Sequence, residues 1–469
     1  MLTCPFLVSI TLLLVLLTQI QADAGGNAAL LEHDAAIAGN PLLPGKGICD
    51  PQVRVYGDRA YLYATHDASP IAANYHMENW WVWASDDLVH WRQVSTLKPT
   101  ETYFGRPSGD CWATDAISRN GKYYFYFSMG PRNIGVVVGD SPEGPWHDPL
   151  GKPLIPEGLS PTEARDPGIF QAADGTGYIV FGTWDFFLAN LNADMISLAE
   201  TPRRLIVTSP AGPYGPGKLD DKPFLHEYQG KYYLSWGCYY AMSDTLYGPY
   251  HYKGSVIVPE RTAPEFQRGL TMDRHGSFFE LHHQWYFICN DQSFPGSSAH
   301  FRNSVISYVH YRDNGEIEPV YLNRLGVGQY DASAPRIEAE NYFRLIHGVK
   351  KECPAGGFEV RGLGAQSSLV FPNVRNLPAN SLISLHLSCA HPRGGTVEIR
   401  RGSPNGELLG KCKVPETGGW ASYRTVSTQL KNSAGTHDLC LVFHGGPGEL
   451  FHLDWFRFQP AVKSEGSPD

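Results

Sequence analysis

The chain has 469 residues, 12% of them aromatic and 18% charged, with a formal net charge of −9 spread along its length. That length exceeds one ordinary core and predicts two or three domains, while 49 Gly and 35 Pro argue against a mainly helical protein and for many short strands joined by turns. Without clustered Lys and Arg the chain offers no nucleic-acid surface, and an aromatic-rich, mildly acidic, strand-rich composition suits a protein that handles sugars.

The N-terminus reads as a leader. Phe6 to Leu17 is a short apolar run broken by Ser9 and Thr11, and Ala22-Asp23-Ala24 supplies small residues for cleavage. The run is too short to span a bilayer, so residues 1–24 are expected to be a signal peptide of a secreted or periplasmic protein, with no membrane partner. Cleavage removes Cys4 and leaves Cys49, Cys111, Cys238, Cys289, Cys353, Cys389, Cys412 and Cys440. An even number is compatible with disulfides or with buried thiols, and none has the CxxC spacing of a zinc site.

A polar turn followed by an aromatic strand then recurs five times. It stands at Tyr56-Gly57-Asp58 before Tyr61, Asn120-Gly121-Lys122 before Tyr123, Asp174-Gly175 before Tyr178, Gln229-Gly230-Lys231 before Tyr232, and His282-His283-Gln284 before Trp285. A second echo, a polar turn closed by an aromatic residue, is clearest at Ser85–Trp91, Asp140–Trp146 and Ser243–Tyr250. Each unit holds about four short strands and no useful helical period. Five such units predict a five-bladed β-propeller over residues 25–330, since ring closure buries sheet faces against one another and leaves few exposed edges. Gly326 to Pro335 reads as a linker. From Arg336 the texture becomes alternating strands with Gly-rich turns, which predicts a β-sandwich over 336–460 and a disordered tail over 461–469.

The candidate chemistry precedes each aromatic hairpin: Asp50 in the first unit, Asp115 in the second, Asp166 in the third, Asp220-Asp221 in the fourth, and Asp273-Arg274-His275 in the fifth. In a propeller such equivalent strand starts converge at one mouth. An Asp before a strand often only caps a turn, but capping does not account for a polar group at the matched place in all five units. Hydrolysis of a glycosidic bond with inversion needs one carboxylate to activate water and one protonated acid for the leaving oxygen, about 6.5–9.5 Å apart. A third carboxylate beside the acid raises its pKa. Trp80, Trp81, Trp83 and Trp112 lie near the first two positions, and Trp81, Trp112 and Asp115 are candidate sugar contacts.

These segments resemble glycoside hydrolase family 43 over roughly Asn40 to Tyr330. The resemblance implies a five-bladed propeller that hydrolyses arabinose-, xylose- or galactose-containing glycans with inversion and without a catalytic cofactor. Asp50-Pro51 is similar to the family's general-base motif. Asp166-Pro167-Gly168-Ile169-Phe170 is similar to the segment with the pKa-modulating aspartate. Arg274-His275-Gly276-Ser277 resembles the segment whose His, here His275, lies in the channel near a calcium or a water cluster in several members. The family's acid is usually Glu before Gly-Pro or Ala-Pro. This chain has Asp221-Lys222-Pro223 there, so Asp221 is the expected acid, with Glu227 as its rival and Glu163 and Glu265 as weaker candidates. An Asp is shorter and intrinsically more acidic than Glu, and a non-catalytic glycan-binding propeller is the alternative reading.

The C-terminal part resembles a family 6 carbohydrate-binding module through Ile337–Tyr342, Gly394–Arg400, Thr417–Trp420 and Leu450–Phe456. The resemblance implies a structural calcium at Glu338, Glu340 and Asp454, whose hard oxygens suit the ion, and sugar stacking on Trp420. It departs from the family in having Phe371 as the second aromatic and His452 where an Asn is usual.

Overall fold

Gly- and Asn-bearing turns with left-handed backbone, such as Asn120-Gly121 and Gln229-Gly230, reverse the chain between short apolar strands, because the backbone twist of such turns matches that of paired strands. The computed structural model describes residues 39–257, 274–294 and 296–460, and among these there is no α-helix. The expected leader, Glu265, Asp273 and the expected tail lie outside the described residues. No described helix is long and apolar enough to cross a membrane.

Five sheets form the first part. Blade 1 pairs Ile48–Tyr56, Arg59–His66, Trp80–Ser85 and Arg92–Leu97 in order. Blade 2 holds Cys111–Arg119, Lys122–Met129 and Asn133–Gly139, and blade 3 runs from Gly168–Gln171 to Arg203–Arg204. Blade 4 runs from Pro223–Tyr228 to Tyr250–Ser255, with Val207–Thr208 added in parallel, and blade 5 holds Gly276–Leu281, Gln284–Asp291 and Asn303–Val309. The first strand of each blade neighbours the first strand of the next, and that of blade 5 returns to that of blade 1, so the ring of five is closed. The seam is sealed by Asn40, whose buried side chain donates to the Ile306 carbonyl at 2.9 Å and accepts from the Ile306 N–H at 2.9 Å, in the manner of a strand partner.

The C-terminal part is a sandwich of two sheets. One contains Ser368–Leu377, Gly435–Gly445, Gly395–Arg401 and Leu408–Val414; the other contains Phe358–Gly364, Glu449–Gln459, Leu382–Ser388 and Tyr423–Gln429. Alternate residues of both, among them Leu369, Phe371, Leu441, Leu385, Leu453 and Phe456, meet in one core. The expected linker is partly sheet: Tyr330–Asp331 pairs in parallel with Val374 and Arg375, so the sandwich begins before Arg336. It docks on blades 5 and 1 through specific contacts. The Tyr342 hydroxyl donates to the His283 carbonyl (2.9 Å), Lys350 donates to Gln284 (2.7 Å), Phe358 stacks on His310 (4.6 Å), and Arg344 pairs with Asp58 (3.2 Å). Among the described residues the eight cysteines are all buried.

Inside the ring Asp115 binds structure rather than solvent. Fully buried, it accepts from Arg54 Nε (2.8 Å) and Nη2 and from the N–H groups of Ala116 (2.7 Å) and Ile169 (2.6 Å), while Arg54 also donates to the Ile169 carbonyl (2.6 Å) and lies over Phe224. Blades 1 to 4 thus meet at one ion pair. Breaking such a pair from one side leaves an uncompensated charge. Asp115→Ala is expected to lower the unfolding free energy by about 3–5 kcal/mol, measured by chemical denaturation; an unchanged midpoint would deny the pair this role.

Candidate active site

The mouth of the cavity is built by one backbone device used three times. Asp50, Asp166 and Lys222 each precede a proline at the entry to an inner strand, and each has left-handed backbone, with φ of 52°, 56° and 67°. An L-residue rarely adopts that region, and a following proline favours extended backbone instead. Strain held at matched points of a ring points to function. All three side chains, with Asp221, Arg165, His275, Arg302 and Trp112, line one cavity of about 530 Å³.

Asp50 is 5% exposed and surrounded by donors. Its carboxylate accepts from Arg302 Nη1 (3.0 Å) and Asn290 Nδ2 (3.0 Å), and His275 Nδ1 lies 3.3 Å away. Its own N–H donates to Asn290 Oδ1 (2.7 Å), which fixes the left-handed turn. Burial alone raises its pKa, but Arg302, then His275 and Asn290, outweigh burial and hold it well below the usual carboxylate range. His275 moves the other way: burial opposes its charge, yet the bond to Asp50 and the charges of Asp50 and Asp166 raise its pKa. Arg302 is itself clamped by Asp67, with Nε and Nη2 each at 3.0 Å from a carboxylate oxygen.

Asp166 and Asp221 line the same cavity. Burial, then the charge of Asp221, pushes the Asp166 pKa up to about 6, against the pull of Arg165 and His275. Asp221 behaves oppositely. Burial would raise its pKa, but Lys222 and Arg165 (Nη2 at 3.2 Å) bind both carboxylate oxygens and lower it. This departs from the expectation that Asp221 is the protonated acid, because two fixed cations stabilise its charged form.

The other sequence candidates divide. Trp112 lines the cavity with Arg165 over its ring, whereas Trp81 stacks on His66 (3.5 Å) inside blade 1, outside the cavity lining. Asp115 is in the channel pin, not among the lining residues. Glu227 lines a separate cavity with Arg54 and Glu280 that shares no residue with the first, which removes it as rival acid. Glu163 pairs with Arg165 at 3.1 Å and is half exposed. Sequence reasoning missed Arg302, Asn290 and Arg165, which carry no motif, and Lys222, whose place before Pro223 matches Asp50-Pro51 and Asp166-Pro167. It also missed Tyr214, which, on the Ala211–Pro216 hairpin, lines the mouth and packs edge-on against the exposed Trp184 (4.9 Å); Tyr75 lines the same cavity and packs against His300.

In the sandwich Trp420 stacks on His452 (4.4 Å), the residue that stands in place of the usual Asn. Glu340 is buried with Oε2 lacking a hydrogen-bond partner, and burial, then the charge of Glu338 and further that of Asp454, raises its pKa well above the usual range. That chemistry fits a hard cation. The side chains are nonetheless not gathered to ligand distance: Arg336 holds Glu338 (2.6 Å), His386 lies 3.8 Å from Asp454, and no metal-binding group of three is present among the described residues, at these positions or at His275.

A buried carboxyl with a raised pKa stabilises the fold while protonated and loses that contribution as pH rises through the folded value. For Asp166 the loss falls between about pH 4 and 6. Asp166→Asn is expected to raise Tm at pH 7 and leave it nearly unchanged at pH 4, by scanning calorimetry; equal shifts at both would contradict the raised pKa.

Residues 38–317 match Glycosyl hydrolases family 43 and residues 354–460 match Carbohydrate binding module (family 6). The chain is 28% identical to an arabinoxylan arabinofuranohydrolase of Paenibacillus polymyxa, over 96% of this chain and 79% of that protein. It is 27% identical to an arabinoxylan arabinofuranohydrolase of Bacillus subtilis strain 168, over 96% and 97%. The crystal structure of a family 43 arabinoxylan arabinofuranohydrolase from Bacillus subtilis in complex with cellotetraose superimposes with a TM-score of 0.54 at 25% identity, covering 90% of this chain and 98% of that one. The chain therefore belongs to glycoside hydrolase family 43, a family of inverting enzymes, and joins its five-bladed propeller to a C-terminal family 6 carbohydrate-binding module.

Proposed function

We propose that this enzyme is a secreted hydrolase of arabinose- or xylose-containing plant-type glycans. The observation that carries the mechanism is the opposed proton affinity of Asp50 and Asp166, which line one cavity. Two carboxylates whose environments separate their pKa values divide the roles of base and acid. Asp50, ionised, accepts a proton from the attacking water; the Asp166–Asp221 pair supplies the proton to the leaving oxygen. A sugar unit fills the cavity beside Trp112, and the exposed aromatic pair Trp184–Tyr214 at the rim offers a flat apolar surface for the next sugar. The relatives' names support the substrate class, and the apolar run at Phe6–Leu17 supports secretion.

In the module we propose that Glu338, Glu340 and Asp454 hold a calcium ion with a structural role, supported by the unpartnered Glu340 oxygen. Once bound, such an ion would supply positive charge to this buried acidic group, away from the propeller cavity.

Reducing-sugar release from arabinoxylan and from xylo-oligosaccharides is the direct test, with Asp50→Asn beside the wild type. Loss of about 10²–10⁴-fold in turnover is expected for the variant; equal release by both would remove Asp50 from the reaction, and silence of both with retained glycan binding would replace hydrolysis by recognition. For the module, calcium is expected to raise Tm and a chelator to reverse it. No calcium response, or one kept in Glu340→Gln, would refute the ion site.

A further inference from the structure

A cavity of about 670 Å³, wider than that of the propeller, lies on the sandwich at the sheet containing Gly395–Arg401, Leu408–Val414 and Gly435–Gly445. In these strands Val397, Ile399, Cys412, Val414, Leu441 and Phe443 face the core. The alternate residues therefore face outward. Thr396 stands opposite Lys413 on one neighbouring strand and His444 on the other, and in the next row Glu398 stands opposite Lys411. Directly paired residues project to the same face of a sheet. Glu398, 8% exposed, anchors its row: it accepts from Arg400 Nη2 (2.6 Å) and Lys411 Nζ (3.2 Å), and His444 Nε2 lies 3.2 Å away. One carboxylate thus serves three basic side chains. Lys413 and Arg393 add two further charges to the lining, and neither has an ion-pair partner among the described residues. Arg393 is presented by a tight turn. The Gly394 N–H donates to the His391 carbonyl (2.8 Å), Gly394 has a φ of 61°, and a Cβ there would collide with the Val414 carbonyl oxygen. Only glycine fits, so the turn bearing Arg393 is fixed against the strand bearing Lys413.

We propose that this cavity is a glycan site that takes the carboxylate of a uronic-acid residue. Its lining holds no carboxylate and no aromatic side chain, in a chain whose net charge is −9. Without an aromatic face a neutral sugar finds nothing to stack on, so charge and hydrogen bonds supply the binding. Lys411, Lys413 and Arg393 supply fixed positive charge, and the arginine fork matches a carboxylate in two bonds. Thr396 and His444, in the row beside Lys413, offer hydrogen bonds to ring hydroxyls. A free phosphate ion suits the cavity less well. Lys411 and Lys413 are two residues apart on one strand, which separates them by about 7 Å, and a sugar ring charged at one end spans such a spread better than a small ion does. The occupant is a glycan because the domain belongs to a carbohydrate-binding family, and the site does not depend on what the propeller hydrolyses. It is also separate from the Trp420–His452 stack. Neither of those residues lines the cavity, and His452 belongs to the opposite sheet, on Glu449–Gln459. An acidic protein repels an acidic polymer as a whole, and a local basic cavity lets it approach in one orientation.

The test is affinity electrophoresis of the full chain in gels containing glucuronoxylan, or the same polymer with its carboxyl groups reduced to alcohols, each read against a gel without polymer. The native polymer is expected to bind with a Kd about tenfold lower than the reduced one. Arg393→Gln with Lys413→Gln is expected to abolish that difference and, since both side chains are exposed, to keep the wild-type Tm. Lys231→Gln with Lys253→Gln removes the same charge from blade 4 and is expected to preserve the difference. Equal binding of native and reduced polymer by the wild type overturns the proposal without any variant. An equal loss in the blade 4 pair reduces the effect to general charge attraction, and loss of the difference in Trp420→Ala moves the carboxylate to the other face; either result overturns it. Release of the native polymer by inorganic phosphate, but not by chloride at the same ionic strength, makes free phosphate the ligand and overturns it as well. A wild type that releases no sugar yet still separates the two polymers ends the hydrolase reading and supports this site.

Discussion

Arg302 donates to two carboxylates of blade 1 from its own place in blade 5, clamping Asp67 with Nε and Nη2 and reaching Asp50 with Nη1. It therefore crosses the seam at which the propeller ring closes. A guanidinium cannot be deprotonated in a protein, and its planar fork matches a carboxylate in two bonds. The ionisation of Asp50 is thus tied to correct closure of the ring: a blade 5 displaced from blade 1 would leave Asp50 buried without its main counter-charge, and burial would then favour the protonated form that cannot accept a proton from water. The same seam is held by Asn40 and by the Asn290 side chain, so the fold and the charge on Asp50 are maintained by one set of contacts.

The rest of the site follows from distributing charge around that fixed point. Carboxylates in one dry cavity resist joint ionisation, and the enzyme resolves this by giving cations to Asp50 and Asp221 and none in direct contact to Asp166. Left-handed backbone before proline at Asp50, Asp166 and Lys222 is unfavourable locally and is held by surrounding hydrogen bonds, as at the Asp50 and Asp166 N–H groups. The Arg54–Asp115 pin below the cavity keeps four inner strands in register, so that side chains from different blades meet with little freedom to relax away.

The sandwich adds a second surface on a rigid mount. Tyrosine, lysine and stacked aromatic contacts attach it to blades 5 and 1, so its sheets keep a set orientation to the propeller. Its outer face presents Trp420 against His452. That stacking partner replaces an amide that could hydrogen-bond a sugar by an imidazole that packs on the aromatic, and it alters what the module offers a ligand.

Much was legible in the amino-acid sequence because it is carried by local patterns. Five polar turns before aromatic strands determine five blades, since turn chemistry and strand periodicity act over a few residues, and an Asp-Pro pair at the entry of an inner strand marks Asp50 and Asp166. The change to Gly-rich alternating segments marks the sandwich. Tertiary structure alone decided the charge states. Asp115 shares the sequence position of Asp50 and Asp166 yet became a channel pin, because Arg54 from the neighbouring blade reaches it. Asp221 became a paired anion through Lys222 and Arg165, and Asp50 is governed by Arg302, 252 residues away. Electrostatic energy depends on distance through space and on burial, neither of which is written in the spacing of residues along the chain.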